Sequence, residues 1–103
     1  MSDDGTDDII RTVEDDIRAR LTAAAEYHVA TVQQEAPRRS GKMASTIHYR
    51  LLPDGLGYKV IVPEFYSAFI EFGTKHQPAN PFLRRGSEKA LPGVMDILDG
   101  RKA

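Results

Sequence analysis

The chain has 103 residues, of which 41% are hydrophobic and 28% charged; these values fit one ordinary globular domain and argue against wholesale disorder. No apolar run approaches the ~18 residues that a membrane span needs. The acidic residues 1–8 lack the basic and apolar regions of a secretory signal, so no such signal is expected. Because the chain has no cysteine, disulfide scaffolds, thiol catalysis and thiolate zinc sites are excluded.

The net charge of −1 conceals an uneven distribution along the chain. Residues 1–16 carry a net charge of −6, and the remaining residues carry +5. Such polarity favours head-to-tail contact between copies, or contact with another charged protein. The alternative is that Asp7 and Asp8 only favour a helix N-terminus while the basic residues are solvated. Part of the positive charge falls in an acid-free stretch that contains Arg38, Arg39, Lys42 and Arg50.

A long amphipathic helix is predicted first. Thr6 or a flanking aspartate can cap it, and Pro37 disfavours helix at the residue before it, so the helix should end near Gln34 or Glu35. A 103-residue core cannot cover all of a helix of about seven turns, so one end is expected to project or to pack on a neighbour. Its apolar stripe has spacings of three and four and comprises Ile10, Val13, Ile17, Leu21, Ala24, His28 and Val32.

An antiparallel hairpin is predicted next. Apolar residues alternate with others along residues 47–52 and again along 58–62, which is the period of a half-buried strand. Pro53-Asp54-Gly55 supplies the turn between them, and a loop of about five residues is common for such a connection. One or two further short strands are expected to extend this sheet.

The rest of the chain predicts two helices. Residues 64–72 are almost wholly apolar, with phenylalanines at helical spacing, and Gly73 fits the position after a helix end, so a short aromatic helix is expected. A last helix from residue 82 to 99 should be kinked or split at Pro92-Gly93. The predicted fold class is therefore α+β, in a single domain over 1–103 with frayed ends at 1–6 and 100–103: a long N-terminal amphipathic helix, a small antiparallel sheet built on a β-hairpin, a short aromatic helix and a C-terminal helix.

Residue patterns typical of catalysis are absent from the sequence. It contains no nucleophile elbow, glycine-rich phosphate loop, zinc-protease helix motif or dinucleotide fingerprint. His28, His48 and His76 lack the spacing of metal ligands, and His28 on the apolar stripe is interpreted as a satisfied core or interface histidine. We therefore expect no enzyme, no catalytic residues, no cofactor and no metal.

Nucleic-acid binding is the alternative from a different class of function. Phosphate contacts need clustered bases, and base stacking needs aromatic residues among them. The aromatic residues of this chain are not interleaved with its bases, and the isoelectric point near 6.3 lacks the usual electrostatic footprint. The basic residues concerned are Arg38, Arg39, Lys42, Arg50, Arg84 and Arg85.

Three short motifs carry a resemblance to a known family. Ser40-Gly41-Lys42-Met43 precedes the hairpin, an aromatic stretch runs from Tyr66 to Thr74 with Ser67 inserted, and Pro81-Phe82-Leu83-Arg84 opens the last helix. In order and spacing they resemble the small tail-component family of long-tailed phages, typified by a protein of coliphage Hong Kong ninety-seven. The chain departs from that pattern at Arg85-Gly86, where the family has Pro-Ala.

The resemblance implies a structural virion protein of the phage neck or tail, assembled in the host cytoplasm. It implies a tail-completion (terminator) or head–tail joining subunit in a homo-oligomeric ring, with a ring of six favoured, or alternatively a head-completion adaptor. Other neck and tail proteins are the expected partners; DNA would pass through the ring without specific binding, and no membrane is involved.

One short helix cannot bury apolar residues on every face of so thin a domain, so part of the motif surface is expected to meet another subunit. Charged contacts are expected between Arg38, Arg39 or Lys42 and Asp7 or Asp8. The expected interface residues are Tyr66, Ala68, Phe69, Ile70, Glu71, Phe72, Gly73, Thr74, Pro81, Phe82, Leu83 and Arg84.

The end of the aromatic motif carries its own local prediction. Gly73 is expected to adopt a positive φ, and Thr74 to hydrogen-bond the local backbone. Glu71 is expected to pair with Arg84 or Arg85, within a subunit or between subunits. The alternative is a plain helix C-cap with a solvated glutamate.

Overall fold

A computed structural model describes residues 5–36, 44–63, 69–72 and 81–100. The predicted α+β class is confirmed: a long helix comes first, a small antiparallel sheet follows, and a second helix closes the chain. The elements in chain order are α1 (Thr6–Glu35), β1 (His48–Leu51), β2 (Tyr58–Ile61), β3 (Phe69–Phe72) and α2 (Pro81–Leu98).

Helix α1 spans 30 residues, about 45 Å at the α-helical rise. Its N-cap is Gly5 with φ 99°, so the predicted capping by Thr6 or an aspartate is wrong, and Thr6 is already helical. A glycine at this position takes the left-handed conformation without the cost that a β-carbon would add. The predicted end is confirmed at Glu35, since Ala36 is extended (φ −65°, ψ 147°), as a residue before proline prefers.

The two halves of α1 have different environments. From Leu21 to Val32 the apolar stripe is buried, whereas every residue from Asp7 to Ala19 is exposed. The exposed half contains Ile10, Val13 and Ile17, the first three members of the predicted stripe. The molecule measures 57 × 28 × 25 Å, so the prediction that one end of the helix projects is confirmed.

The hairpin forms as predicted. Strands β1 and β2 pair antiparallel with Leu51 opposite Tyr58, and the backbone N–H of Leu52 donates to the Gly57 carbonyl at 2.9 Å. Inside the loop, Gly55 has φ 72°, a conformation that favours glycine, and its N–H donates to the Leu52 carbonyl. The predicted alternation is confirmed: Tyr49 and Leu51 are less exposed than His48 and Arg50. Along residues 47–62 the buried apolar residues are Ile47, Tyr58, Val60 and Val62.

The predicted short aromatic helix is wrong for residues 69–72, which form strand β3. This strand pairs antiparallel with β2, placing Phe72 opposite Tyr58 and Glu71 opposite Lys59. A short apolar run fits either a helix or a strand by periodicity, and the open backbone edge of β2 decides for a strand because pairing satisfies both backbones. Aromatic and β-branched residues also favour such a position. Residues 64–68 and Gly73 lie outside the described residues.

Helix α2 is continuous from Pro81 to Leu98, so of the predicted kink or split at Pro92-Gly93 the split into two short helices is wrong. Pro92 lies inside it and is exposed. The proline removes the backbone donor for the Glu88 carbonyl, and both Pro92 and Glu88 are exposed.

The two helices pack side by side in opposite directions. Gly86 lies against Val32, Gly93 lies against Tyr27, and the Arg20 guanidinium Nη1 donates to the Leu98 carbonyl at 2.9 Å. The core between the helices and the sheet comprises Leu21, Ala24, Ala25, Val32, Ile47, Tyr58, Val60, Val62, Leu83, Ala90 and Val94.

Replacing Gly86 by alanine is expected to lower the free energy of unfolding by about 1–3 kcal/mol. An added Cβ would lie 2.8 Å from the Val32 Cα, so the helices must separate. This outweighs the ~1 kcal/mol by which alanine favours a helix. Urea unfolding measures the change. Gly93→Ala is the comparison, since the atoms nearest its added Cβ belong to the outer end of the Tyr27 side chain, which is partly exposed and can turn aside. A Gly86→Ala protein as stable as the wild type would contradict the close approach.

Candidate subunit interface

Two of the motif segments predicted as an interface come together in the fold. Phe69–Phe72 form β3, an outer strand of the sheet that the described residues build, and Pro81 begins α2. Strand β3 contacts helix α2, so these two motif segments belong to neighbouring elements of the fold. Seven of the predicted interface and charged residues lie outside the described ranges: Tyr66, Ala68, Gly73, Thr74, Arg38, Arg39 and Lys42.

Leu83 does not lie on a surface. Its side chain is completely buried in the core, so its predicted place at an interface is corrected to a core role within the subunit. The helical period explains the difference, because Leu83, Ala90 and Val94 share the inner face of α2. Arg84 is exposed, with its Nε 3.5 Å from Glu88 Oε2 one helical turn away.

The acidic end of α1 is exposed as expected. Asp7 and Asp8 lie in its first turn, where negative charge complements the positive end of the helix dipole. Asp8 Oδ1 is 3.9 Å from Arg11 Nη1, and both side chains are largely exposed. This pair contributes little because solvent screens it.

A charge cluster that the sequence analysis missed joins the two helices. Lys89 Nζ donates to Glu35 Oε2 at 2.6 Å, and Arg85 Nε donates to Glu35 Oε1 at 3.3 Å. The Lys89 hydrogen bond lowers the pKa of the Glu35 carboxyl, and Arg85 lowers it further. The cluster also gives Arg85 a partner other than Glu71, whose side chain lies outside the described residues. A carboxylate at a helix C-terminus opposes the dipole, so these two cations offset an unfavourable position.

Replacing Glu35 by glutamine is expected to lower the urea midpoint at pH 7 and to change it much less at pH 3. The lowered pKa means that the carboxylate stabilises the fold above the ordinary pKa of 4.5, and that this contribution disappears as the pH falls and the group is protonated. Added salt should narrow the difference at pH 7, because exposed cations are screened. A difference independent of both pH and salt would contradict the ion-pair interpretation.

Two apolar faces remain open to solvent. On α1, Ile9, Ile10, Val13 and Ile17 keep between 37% and 66% of their surface exposed. On α2, Leu91 and Met95 are four residues apart on the outer face and are 45–50% exposed. Exposed apolar side chains that form continuous stripes are typical of protein contact surfaces.

These surfaces belong to a chain whose sequence matches a known family. The family model described as "Bacteriophage HK97-gp10, putative tail-component" matches residues 6–73. The chain belongs to this family. No curated protein and no solved structure matches the chain.

Family membership makes the protein a structural component of a phage tail, and therefore of the virion, that interacts with other tail proteins. The match covers α1 and all three described strands. Helix α2 lies outside it, although its first turn carries the Pro-Phe-Leu-Arg motif. Among the described residues, no helix is long and apolar enough to cross a membrane, and no cluster of three metal-ligating side chains occurs.

The tail component has a buried polar group at its centre. His28 Nδ1 is 2.8 Å from the Tyr58 hydroxyl, and His28 Nε2 is 2.8 Å from Ser87 Oγ. A neutral imidazole has one donor and one acceptor, so one hydroxyl accepts from the ring and the other donates to it. Burial lowers the pKa of His28 to about 4 and raises the pKa of the Tyr58 phenol, so both groups are neutral at pH 7.

The same three groups have the distances of a nucleophile, a base and an orienting hydroxyl. A catalytic serine must also reach a substrate, and here Ser87 is 7% exposed, His28 is 4% exposed and Tyr58 is completely buried. The arrangement therefore fastens α1, β2 and α2 to one another, because each side chain comes from a different element. The interpretation of His28 as a satisfied core histidine is confirmed, although its partners, 30 and 59 residues away, carry no local signal.

Proposed function

We propose that this tail component forms a ring at the end of the phage tail nearest the head and acts in tail completion or in head–tail joining. A ring of six is favoured. The observation that carries the proposal is the uncovered apolar half of α1 in a member of a tail-component family. A ring subunit needs two different surfaces, one for each neighbour, and a projecting helix supplies one of them.

In this proposal the whole chain acts as one domain of the virion neck and catalyses no reaction. It is assembled in the host cytoplasm and contacts other neck and tail proteins. Strand β3 and the exposed part of the first turn of α2 contribute to the contacts, as do the motif residues that lie outside the described ranges. DNA passes through the ring without specific binding.

Disruption of the gene in the phage tests the proposal. Electron microscopy of the lysate is expected to reveal full heads and separate tails whose head-proximal ends are abnormal, and the wild-type chain supplied in trans is expected to restore joined virions. Normal virions that lack the chain would contradict it. If the chain is found on tailless heads and not on free tails, the head-completion role replaces the tail role.

A further inference from the structure

The uncovered stripe of α1 continues the face that α2 and the sheet cover farther along the helix. Helix α2 ends at Leu98, whose carbonyl receives the Arg20 guanidinium. From residue 19 back to residue 7 every described residue of α1 is exposed, and the hairpin turn lies beside Glu14, Ile17 and Arg18. This uncovered stretch, residues 6–19, is about 21 Å long. We call it the arm.

The outer face of α2 has a matching character. Arg84, Glu88, Leu91 and Met95 follow one another at spacings of four, three and four, so they form a single stripe along the helix. The stripe is charged where α2 begins and apolar toward its end. It points away from the subunit core, which the opposite face of α2 covers.

We propose that the arm of one copy packs across the outer face of α2 in the next copy, with Val13 and Ile17 against Leu91 and Met95. The proposal rests on the ring role above and names the two surfaces of the ring contact. Apolar side chains cover one another, and the net charges are opposite in sign: residues 6–16 carry a net −4, and residues 84–89 together with Glu35, which Arg85 and Lys89 bind, carry a net +1. Two arms packed on each other would instead bring like charges together, which opposes pairing.

The size of the arm sets the strength of the contact. A helix face about 21 Å long and ~10 Å wide buries only a few hundred Å² per partner, below the ~1,000 Å² total of a stable dimer. One such contact is therefore weak, whereas every subunit of a closed ring makes two. We expect the isolated chain to associate detectably only at high concentration, and to assemble fully on the tail end, where effective concentration is high.

Disulfide trapping tests the contact directly, because the natural chain has no cysteine. Val13→Cys protein mixed with Met95→Cys protein at high concentration is expected to form mixed disulfide dimers at least about tenfold faster than either protein alone. Ala19→Cys is the matched control: it is exposed and lies on the other side of the arm. Two results would overturn the proposal. One is that Ala19→Cys forms disulfides with Met95→Cys as fast as Val13→Cys does; the other is that Val13→Cys forms disulfides with itself faster than with Met95→Cys.

Glutamate variants test the direction of the contact. Ile10→Glu/Val13→Glu places charge on the apolar face of the arm, and Leu91→Glu/Met95→Glu places charge on the outer face of α2. Each protein is expected to be monomeric by native mass spectrometry. At the high concentration at which the wild type associates, an equimolar mixture still contains one intact arm and one intact α2 face. It should therefore form a 1:1 heterodimer of twice the 11.5 kDa chain mass and nothing larger. The control Ala19→Glu/Ala23→Glu adds the same charge on the opposite side and should associate as the wild type does. Normal association of the Leu91→Glu/Met95→Glu protein would overturn the proposal.

Incorporation into virions separates this proposal from the ring role. Tails from phage that carry Ile10→Glu/Val13→Glu are expected to lack the chain and to remain unjoined, while Ala19→Glu/Ala23→Glu restores joining. Normal joining by the arm variant would overturn the arm contact and leave the tail role intact. Failure of the wild-type chain to appear on tails would overturn the tail role itself. Thermal unfolding by circular dichroism verifies that each variant is folded, as exposed positions lead us to expect.

Discussion

Lowering the pH from 7 to 4 is expected to remove about 3 kcal/mol from the free energy of unfolding through His28 alone. The pKa of His28 is about 4 in the folded protein and 6.5 as its reference value. Between these values the unfolded chain binds a proton that the folded protein does not. Acid therefore favours unfolding, and the contribution of His28 is complete above pH 6.5 and is lost as the pH falls toward 4.

Urea unfolding at a series of pH values measures this contribution. The slope attributable to one such group approaches 1.4 kcal/mol per pH unit midway between the two pKa values. In the His28→Gln variant, the free energy of unfolding should depend less steeply on pH between pH 4 and pH 6.5. This holds whatever the absolute stability of the variant. A direct NMR titration of the wild type should give a protonation midpoint at about pH 4 for the His28 imidazole. Titration near 6.5, or an unchanged slope in the variant, would contradict the role of burial.

Glu35→Gln provides the comparison. The contribution of Glu35 is also lost in acid, but its loss begins near pH 4.5 and continues below it, because the folded pKa lies under that value. The histidine variant should therefore alter the profile mainly above pH 4.5, and the glutamate variant below it. The pH range in which stability changes therefore distinguishes the contribution of the buried neutral His28 from that of the Glu35 ion pairs at the end of α1.

The sequence predicted those parts of the fold that depend on neighbouring residues in the chain. Pro37 determines where α1 ends, and the alternation along residues 47–51 and 58–62 determines which side of each strand is buried. The projecting end of α1 was also predictable, since a helix of that length exceeds what the core of a 103-residue chain can cover.

Features that depend on distant partners were not predictable. Residues 69–72 became a strand because β2 offers a pairing edge, which no local period reveals. Gly86, which departs from the family motif, allows the backbone of Val32 to approach. Leu83 was assigned to an interface from its motif, yet the helical face it shares with Ala90 and Val94 places it in the core. The interface predicted from the other motif residues stays a prediction.

Whether the basic residues bind DNA phosphates distinguishes a ring subunit from a nucleic-acid-binding protein. A ring through which DNA passes must let the duplex slide, so tight phosphate binding would oppose its function. We therefore expect the wild-type chain to bind duplex DNA weakly or not at all at both ~0.05 and ~0.2 M salt. A protein that neutralised several phosphates would bind strongly at the lower salt, and its log affinity would fall with log salt at about −0.9 per phosphate.

Reversal of two of these charges should abolish virion joining. Arg38→Glu/Arg39→Glu changes a basic stretch that lies outside the described residues and that we expect to contact the acidic end of α1, including Asp7 and Asp8, in a neighbouring copy. Like charges would then face each other, and the yield of joined virions should fall by several orders of magnitude in a complementation assay. The control Arg50→Glu reverses one charge at an exposed position outside both the arm and the outer face of α2, and it should complement. Submicromolar, salt-sensitive DNA binding by the wild type, together with normal joining by Arg38→Glu/Arg39→Glu, would favour the nucleic-acid function instead, because the bases would then be contacting phosphates and not a protein partner.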